Sequence, residues 1–113
     1  MNKLAQQACE ACRADSPQLT ADEAADYLKR TPGWEITREH DINKLSKTYF
    51  FKNWKEAIEF TNQVGDLAEE QGHHPAILTE WGRVTVQWWT HKIGGLHRND
   101  FIMAARSEEL ARG

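Results

Sequence analysis

The sequence predicts an α+β fold: a two-layer sandwich with a four-stranded antiparallel sheet and helices on one face, in the order α-β-β-α-β-β-α. Three observations carry this expectation. Apolar residues recur at spacings of three and four from Ala57 to Ala68, the period of a helix with one buried face. Residues 34–38 and 83–91 alternate, as half-buried strands do. Turn-forming residues at 40–43 and at Gly82 join the strands in pairs, and two hairpins make an antiparallel sheet.

Residues 1–19 read as a leader, helical over Leu4–Arg13 and broken at Ser16-Pro17. Residues 20–113 read as one domain. Thr20 caps a short helix running to about Arg30, and Glu23 completes a capping box. Ala24, Tyr27 and Leu28 form its apolar face, and Thr31-Pro32-Gly33 ends it. Trp34–Arg38 is a strand, His40–Asn43 a turn, and Leu45–Phe51 a second, aromatic-rich strand. Asn53, with Glu56 as its box partner, caps the long helix, and Gly72 suits its C-terminus. After His73-His74-Pro75, Ala76–Trp81 and Arg83–His91 are two more strands. In the last, Val84, Val86 and Trp88 share one face, and Thr85, Gln87, Trp89 and His91 the other. Gly94-Gly95 turns the chain, and Asn99 or Asp100 starts a final helix to about Ala111. A sheet covered on one face leaves its edges open to self-association.

Composition removes several function classes. A chain of 113 residues, 40% hydrophobic and 27% charged, is long enough for one core. Net charge is -3, the pI is about 5.9 and the basic residues are scattered, so there is no electrostatic footprint for nucleic acid. No apolar run approaches the roughly 18 residues of a membrane span, and Met1–Arg13 lacks a basic-then-apolar signal pattern. The expected compartment is the cytoplasm. Cys9 and Cys12 form a C-x-x-C with no second pair for a zinc site and no βαβ pattern for a redox site, so they read as a reduced pair.

The chemistry concentrates in histidine. His73 and His74 precede the third strand and His91 ends the fourth, and a tight hairpin brings its outer ends together. Three histidines are thus expected within side-chain reach. His40 and His97 read as exposed. Asp100 faces the same region or caps the last helix. Glu69 lies one turn before His73 and could orient a ring. Neighbouring strand residues point to opposite faces, so His73 and His74 can serve one pocket only if the backbone there is irregular. Two readings stay open: a metal site of histidines and a carboxylate, or metal-free acid–base catalysis by groups that titrate near neutrality.

The string Glu69-x-x-x-His73-His74-Pro75, with Trp81, Thr90-His91, Gly95-Leu96 and Asp100 at fixed spacing, resembles the signature of the pterin-4a-carbinolamine dehydratases, a family also known as dimerization cofactor of a homeodomain transcription factor. Trp34 after Pro32-Gly33 fits the same pattern, and the likeness runs from about Thr20 to Ala111. The leader resembles that of bacterial members found beside phenylalanine hydroxylase. The resemblance implies an enzyme that removes water from 4a-hydroxytetrahydropterin to give quinonoid dihydropterin, recycling the cofactor of aromatic amino acid hydroxylases, with no metal or cofactor. It implies a catalytic trio, with His73 and His91 as acid and base and His74 holding and orienting the pterin and assisting. It adds Asp100 and Glu69 as site residues, with Trp34 or Trp81 as walls for the flat ring. It also implies a homodimer or tetramer, and in some relatives a regulatory binding role that needs none of the histidines.

Overall fold

The computed structural model describes residues 3–7 and 17–112. The element order is α1 (Ala21–Lys29), β1 (Glu35–Glu39), β2 (Ile42–Phe50), α2 (Trp54–Gln71), β3 (Ala76–Glu80), β4 (Arg83–Trp88) and α3 (Arg98–Arg112), with 3₁₀ turns at Lys3–Gln6 and His91–Ile93. The strands form one antiparallel sheet in the order β1-β2-β4-β3. The expected α+β sandwich is therefore the fold. The expected leader helix extends outside the described residues, as do Cys9 and Cys12.

Local chemistry sets the helix ends. Thr20 Oγ1 accepts from the Glu23 amide, and Glu23 Oε1 accepts from the Thr20 amide, a closed capping box. Asn53 Oδ1 accepts from the Glu56 amide; the Glu56 carboxylate reaches instead toward Lys52 Nζ, 3.4 Å away. Gly72 takes φ 63°, and the amides of Gly72 and His73 close back on Glu69 and Ala68. This left-handed cap favours glycine, and it ends α2 with His73 turned toward the sheet.

The strand limits differ from expectation in five places. Trp34, expected to open the first strand, precedes β1, which runs from Glu35 to Glu39. The first hairpin turns on two residues only, His40 and Asp41, both at positive φ. That geometry matches the twist of paired strands, so Ile42 and Asn43 join β2 rather than the turn, and β2 begins three residues before the expected Leu45. Phe51, expected in β2, lies past its end. Trp81 lies in the β3–β4 turn, not in β3. His91 is beyond β4, because Thr90 bridges back to Gly95 and forces the chain into a short 3₁₀ turn.

The core lies between the sheet and the helices. Leu45 and Tyr49 of β2, Val84, Val86 and Trp88 of β4, and Ala57, Phe60, Val64 and Ala68 of α2 are buried. In α3, Phe101–Ala105 are buried without a break. A helix covered on all sides is a central element: Tyr27 of α1 stacks on Phe101 at 5.2 Å, and Leu4 is fully buried in the same core. At the far end of α3, Glu108 Oε1 accepts from Lys47 Nζ at 2.7 Å and from the Tyr49 hydroxyl at 2.6 Å. Burial, then the Glu108 carboxylate, pushes the Tyr49 hydroxyl far up, so it remains a donor. Burial also pushes the Glu108 carboxyl up, but the bonds from Lys47 and Tyr49 and the Lys47 charge outweigh it and hold Glu108 below its ordinary value.

Glu108→Gln should cost about 1–3 kcal/mol of stability at neutral pH, the loss expected for a partly buried charged hydrogen-bond acceptor. A carboxylate with a lowered folded pKa stabilises above its unfolded value and stops doing so as pH falls through the folded one. Urea denaturation at a series of pH values should therefore show the two proteins converging in acid. A constant gap at every pH would contradict this account of the cluster.

Candidate active site

The histidine cluster is built from three chain segments: the end of α2 and the residues after it, the end of β4 and the turn after it, and the start of α3. Asp100, the third residue of α3, is fully buried. Its Oδ2 accepts from the Thr90 hydroxyl and from the His97 amide, both at 2.9 Å, and its Oδ1 lies 2.7 Å from His73 Nε2. His97 precedes the helix and its Nδ1 accepts from the Asn99 amide at 3.1 Å. Asp100 is thus not the N-cap. His97 fills that place, and Asp100 secures the His97 amide while its other oxygen is free for His73.

His73 and His74 occupy an irregular segment between α2 and β3, which allows them to serve one region. His73 is buried, and its ring lies parallel to Trp88 at 5.8 Å. His74 is exposed, and its Nε2 is 2.9 Å from Glu69 Oε1. Glu69 therefore orients His74, not His73. His91 Nε2 donates to the His74 carbonyl at 3.1 Å, and the His91 ring stacks on Trp89 at 4.4 Å. The three histidines are brought together as the hairpin geometry predicted.

One regularity governs their chemistry. A carbonyl or a carboxylate only accepts, so each of the three imidazoles carries its proton on Nε2. The neutral rings therefore keep the lone pair on Nδ1. Each Nδ1 can take a proton as a base or, once protonated, return it as an acid. Among the described residues, no group of three histidine, cysteine or carboxylate side chains is arranged to hold a metal ion.

Two expected ring walls stand elsewhere. Trp34 is buried in the core, edge-on to Tyr49 at 6.1 Å, ahead of the β1 edge, whereas β3 forms the other edge. Trp81 is 71% exposed in the β3–β4 turn, the opposite end of that hairpin from the histidines. The five residues of β3 put roughly 17 Å between the two ends. Trp81 matched a spacing, but the hairpin carries it away from the site. The aromatic rings that do touch the histidines are Trp88 and Trp89. Their signal was in the alternation of β4, which sends adjacent residues to opposite faces. Thr90 was also missed as a partner of Asp100; nothing in its spacing reveals that bond.

Asp100→Asn would place an amide where three donors need acceptors. We expect a loss of about 2–4 kcal/mol, since removing one partner leaves buried polar groups unpaired. Thermal unfolding would check it, and a wild-type midpoint would count against the hub role of Asp100.

Comparison with known proteins agrees with this geometry. The family model for pterin 4 alpha carbinolamine dehydratase matches residues 17–110. A protein of Marinobacter nauticus, provisionally named a pterin-4-alpha-carbinolamine dehydratase, is 57% identical over 110 residues, 97% of this chain and 99% of its own. One of Syntrophotalea carbinolica, named in the same provisional way, is 56% identical over 110 residues, 97% and 98% of the two chains. Among solved structures, the transcriptional coactivator/pterin dehydratase of Brucella melitensis superposes with a TM-score of 0.76 at 27% identity, over 84% of this chain and 99% of that one. A pterin dehydratase-like protein identified as a RuBisCO assembly factor in the α-carboxysome has a TM-score of 0.59 at 24% identity, over 70% and 89%. At that identity the likeness is one of fold. With a matched span that encloses Glu69, all three clustered histidines and Asp100, the chain belongs to the pterin 4α-carbinolamine dehydratase family.

Proposed function

We propose that this chain dehydrates 4a-hydroxytetrahydropterin to quinonoid dihydropterin by histidine acid–base catalysis, without metal or cofactor. The observation that carries the reading is the set of three imidazoles, each committed through Nε2 and open at Nδ1. In the reaction an acid protonates the 4a-hydroxyl, the C4a–O bond breaks and water leaves. The N5–H electron pair becomes the C4a=N5 bond, and a base takes the N5 proton. One proton is supplied and one is collected, so two histidines suffice. We assign these steps to His73 and His91. His74, oriented by Glu69, holds the pterin, and Asp100 orients His73. We assign the activity to a single domain, residues 20–113, preceded by the 1–19 leader.

The product suits a reductase that regenerates the cofactor of an aromatic amino acid hydroxylase, and we place the reaction in the cytoplasm. No described helix is long and apolar enough to cross a membrane. We also propose a homo-oligomer, a dimer or a tetramer. Phe50, Leu78 and Trp81 are 77%, 58% and 71% exposed, and β3 is an edge strand. Exposed apolar residues beside an open strand edge favour pairing between copies. A second, regulatory reading is favoured by the name of the Brucella protein, which joins coactivator to dehydratase.

Stopped-flow absorbance with freshly made 4a-hydroxytetrahydropterin tests the activity. The wild type should be fast in the presence of a chelator, and His91→Ala or His73→Ala should lose on the order of 100-fold or more in kcat. A wild-type rate no faster than buffer would sink the dehydratase reading. The double variant His73→Ala/His91→Ala should still bind a regulatory partner, because that role needs none of the histidines. Light scattering at micromolar concentration should report at least a dimer, and a monomer would overturn the oligomer proposal.

A further inference from the structure

His91 is an exposed ring on a three-residue 3₁₀ turn. Such a side chain samples several rotamers unless something holds it. Its hydrogen bond to the His74 carbonyl fixes one nitrogen but leaves the ring free to pivot about that bond. The stack on Trp89, with centroids 4.4 Å apart and planes 28° apart, removes this freedom.

Trp89 is itself held. It follows β4 on the outer face of the sheet, and Lys44 of β2 places Nζ 4.3 Å from its centroid. Lys44 is a fixed cation: only 12% of its side chain is exposed, and Nζ is 4.0 Å from Glu39 of β1. Glu39 Oε1 accepts from Gln87 Nε2 at 2.9 Å, and the same Nε2 lies 3.2 Å from Ser46 Oγ. The Gln87 bond, then the Lys44 charge, holds the Glu39 carboxyl below its ordinary value, so this anchor is ionised. A polar row thus crosses the outer face from β1 to β4 and ends on the indole that carries His91.

We propose that Trp89, braced by Lys44, is a positioning residue for His91: its indole holds the imidazole in the pose that commits Nε2 to the His74 carbonyl and leaves Nδ1 open to substrate. The inference rests on the dehydratase reading only for the identity of the reaction. The placement of the ring can be tested without it.

The test compares the full-length wild type with Trp89→Ala, Trp89→Leu and Trp89→Phe. Leucine keeps apolar bulk without a ring, so it guards against a folding defect in the alanine variant. Phenylalanine keeps a ring. Two quantities are read: the tautomer of the neutral His91 ring by nitrogen-15 NMR, and kcat and KM with 4a-hydroxytetrahydropterin. The wild type and Trp89→Phe should carry the proton on Nε2 alone. Trp89→Ala and Trp89→Leu should show both tautomers and lose about 10- to 100-fold in kcat, the scale of a misplaced catalytic group. KM should stay within about twofold, because the pterin-holding His74 is untouched. An Nε2 proton and a wild-type kcat in Trp89→Leu would overturn the proposal. A scrambled tautomer in a series where even the wild type fails to dehydrate the pterin would support the positioning role and remove the dehydratase reading instead.

Discussion

The site depends on one buried carboxylate. Asp100 is fully inaccessible, and burying a charge is costly unless it is paired and hydrogen-bonded. Three donors meet it: His73 from the end of α2, Thr90 from the end of β4, and the His97 amide from the start of α3. Satisfying that one charge fixes the relative positions of three chain segments. The left-handed turn at Gly72 delivers His73 to it, and the Thr90–Gly95 bridge delivers Thr90. The chemistry of the site and the closure of the fold are then the same set of bonds.

Strand alternation distributes the histidines around that hub. Trp88 points inward and carries the His73 ring; Trp89 points outward and carries His91. Two histidines are thereby held on either side of the β3–β4 end of the sheet, and the His74 carbonyl ties them across it. A cluster that straddles a sheet end can meet a flat substrate with more than one nitrogen. All three rings offer the same atom, Nδ1, because every partner at Nε2 accepts.

Much of this was legible in the sequence, for physical reasons. Capping boxes and helical periodicity are local, so α1 and α2 could be placed to within a residue. The convergence of His73, His74 and His91 followed from hairpin topology alone. Side-chain partnerships across the fold were less legible. Glu69 lies four residues before His73, which on a continuing helix would pair them, but Gly72 ends the helix and the carboxylate meets His74 instead. Asp100 could be read as a cap because carboxylates favour helix starts; its long-range bonds to His73 and Thr90 leave no local trace. Trp34 and Trp81 were drawn to the site by their place in a family pattern. One fills the core, and the other occupies a turn at the far end of its hairpin.

The histidine mechanism depends on the open Nδ1 atoms, and a crystal structure with a dihydropterin bound tests it most directly. The pterin ring should lie within hydrogen-bonding distance of Nδ1 on at least two of His73, His74 and His91, with Asp100 and Glu69 still engaged at Nε2. A pterin bound elsewhere, such as against the exposed Trp81, with all three imidazoles untouched, would contradict the histidine mechanism.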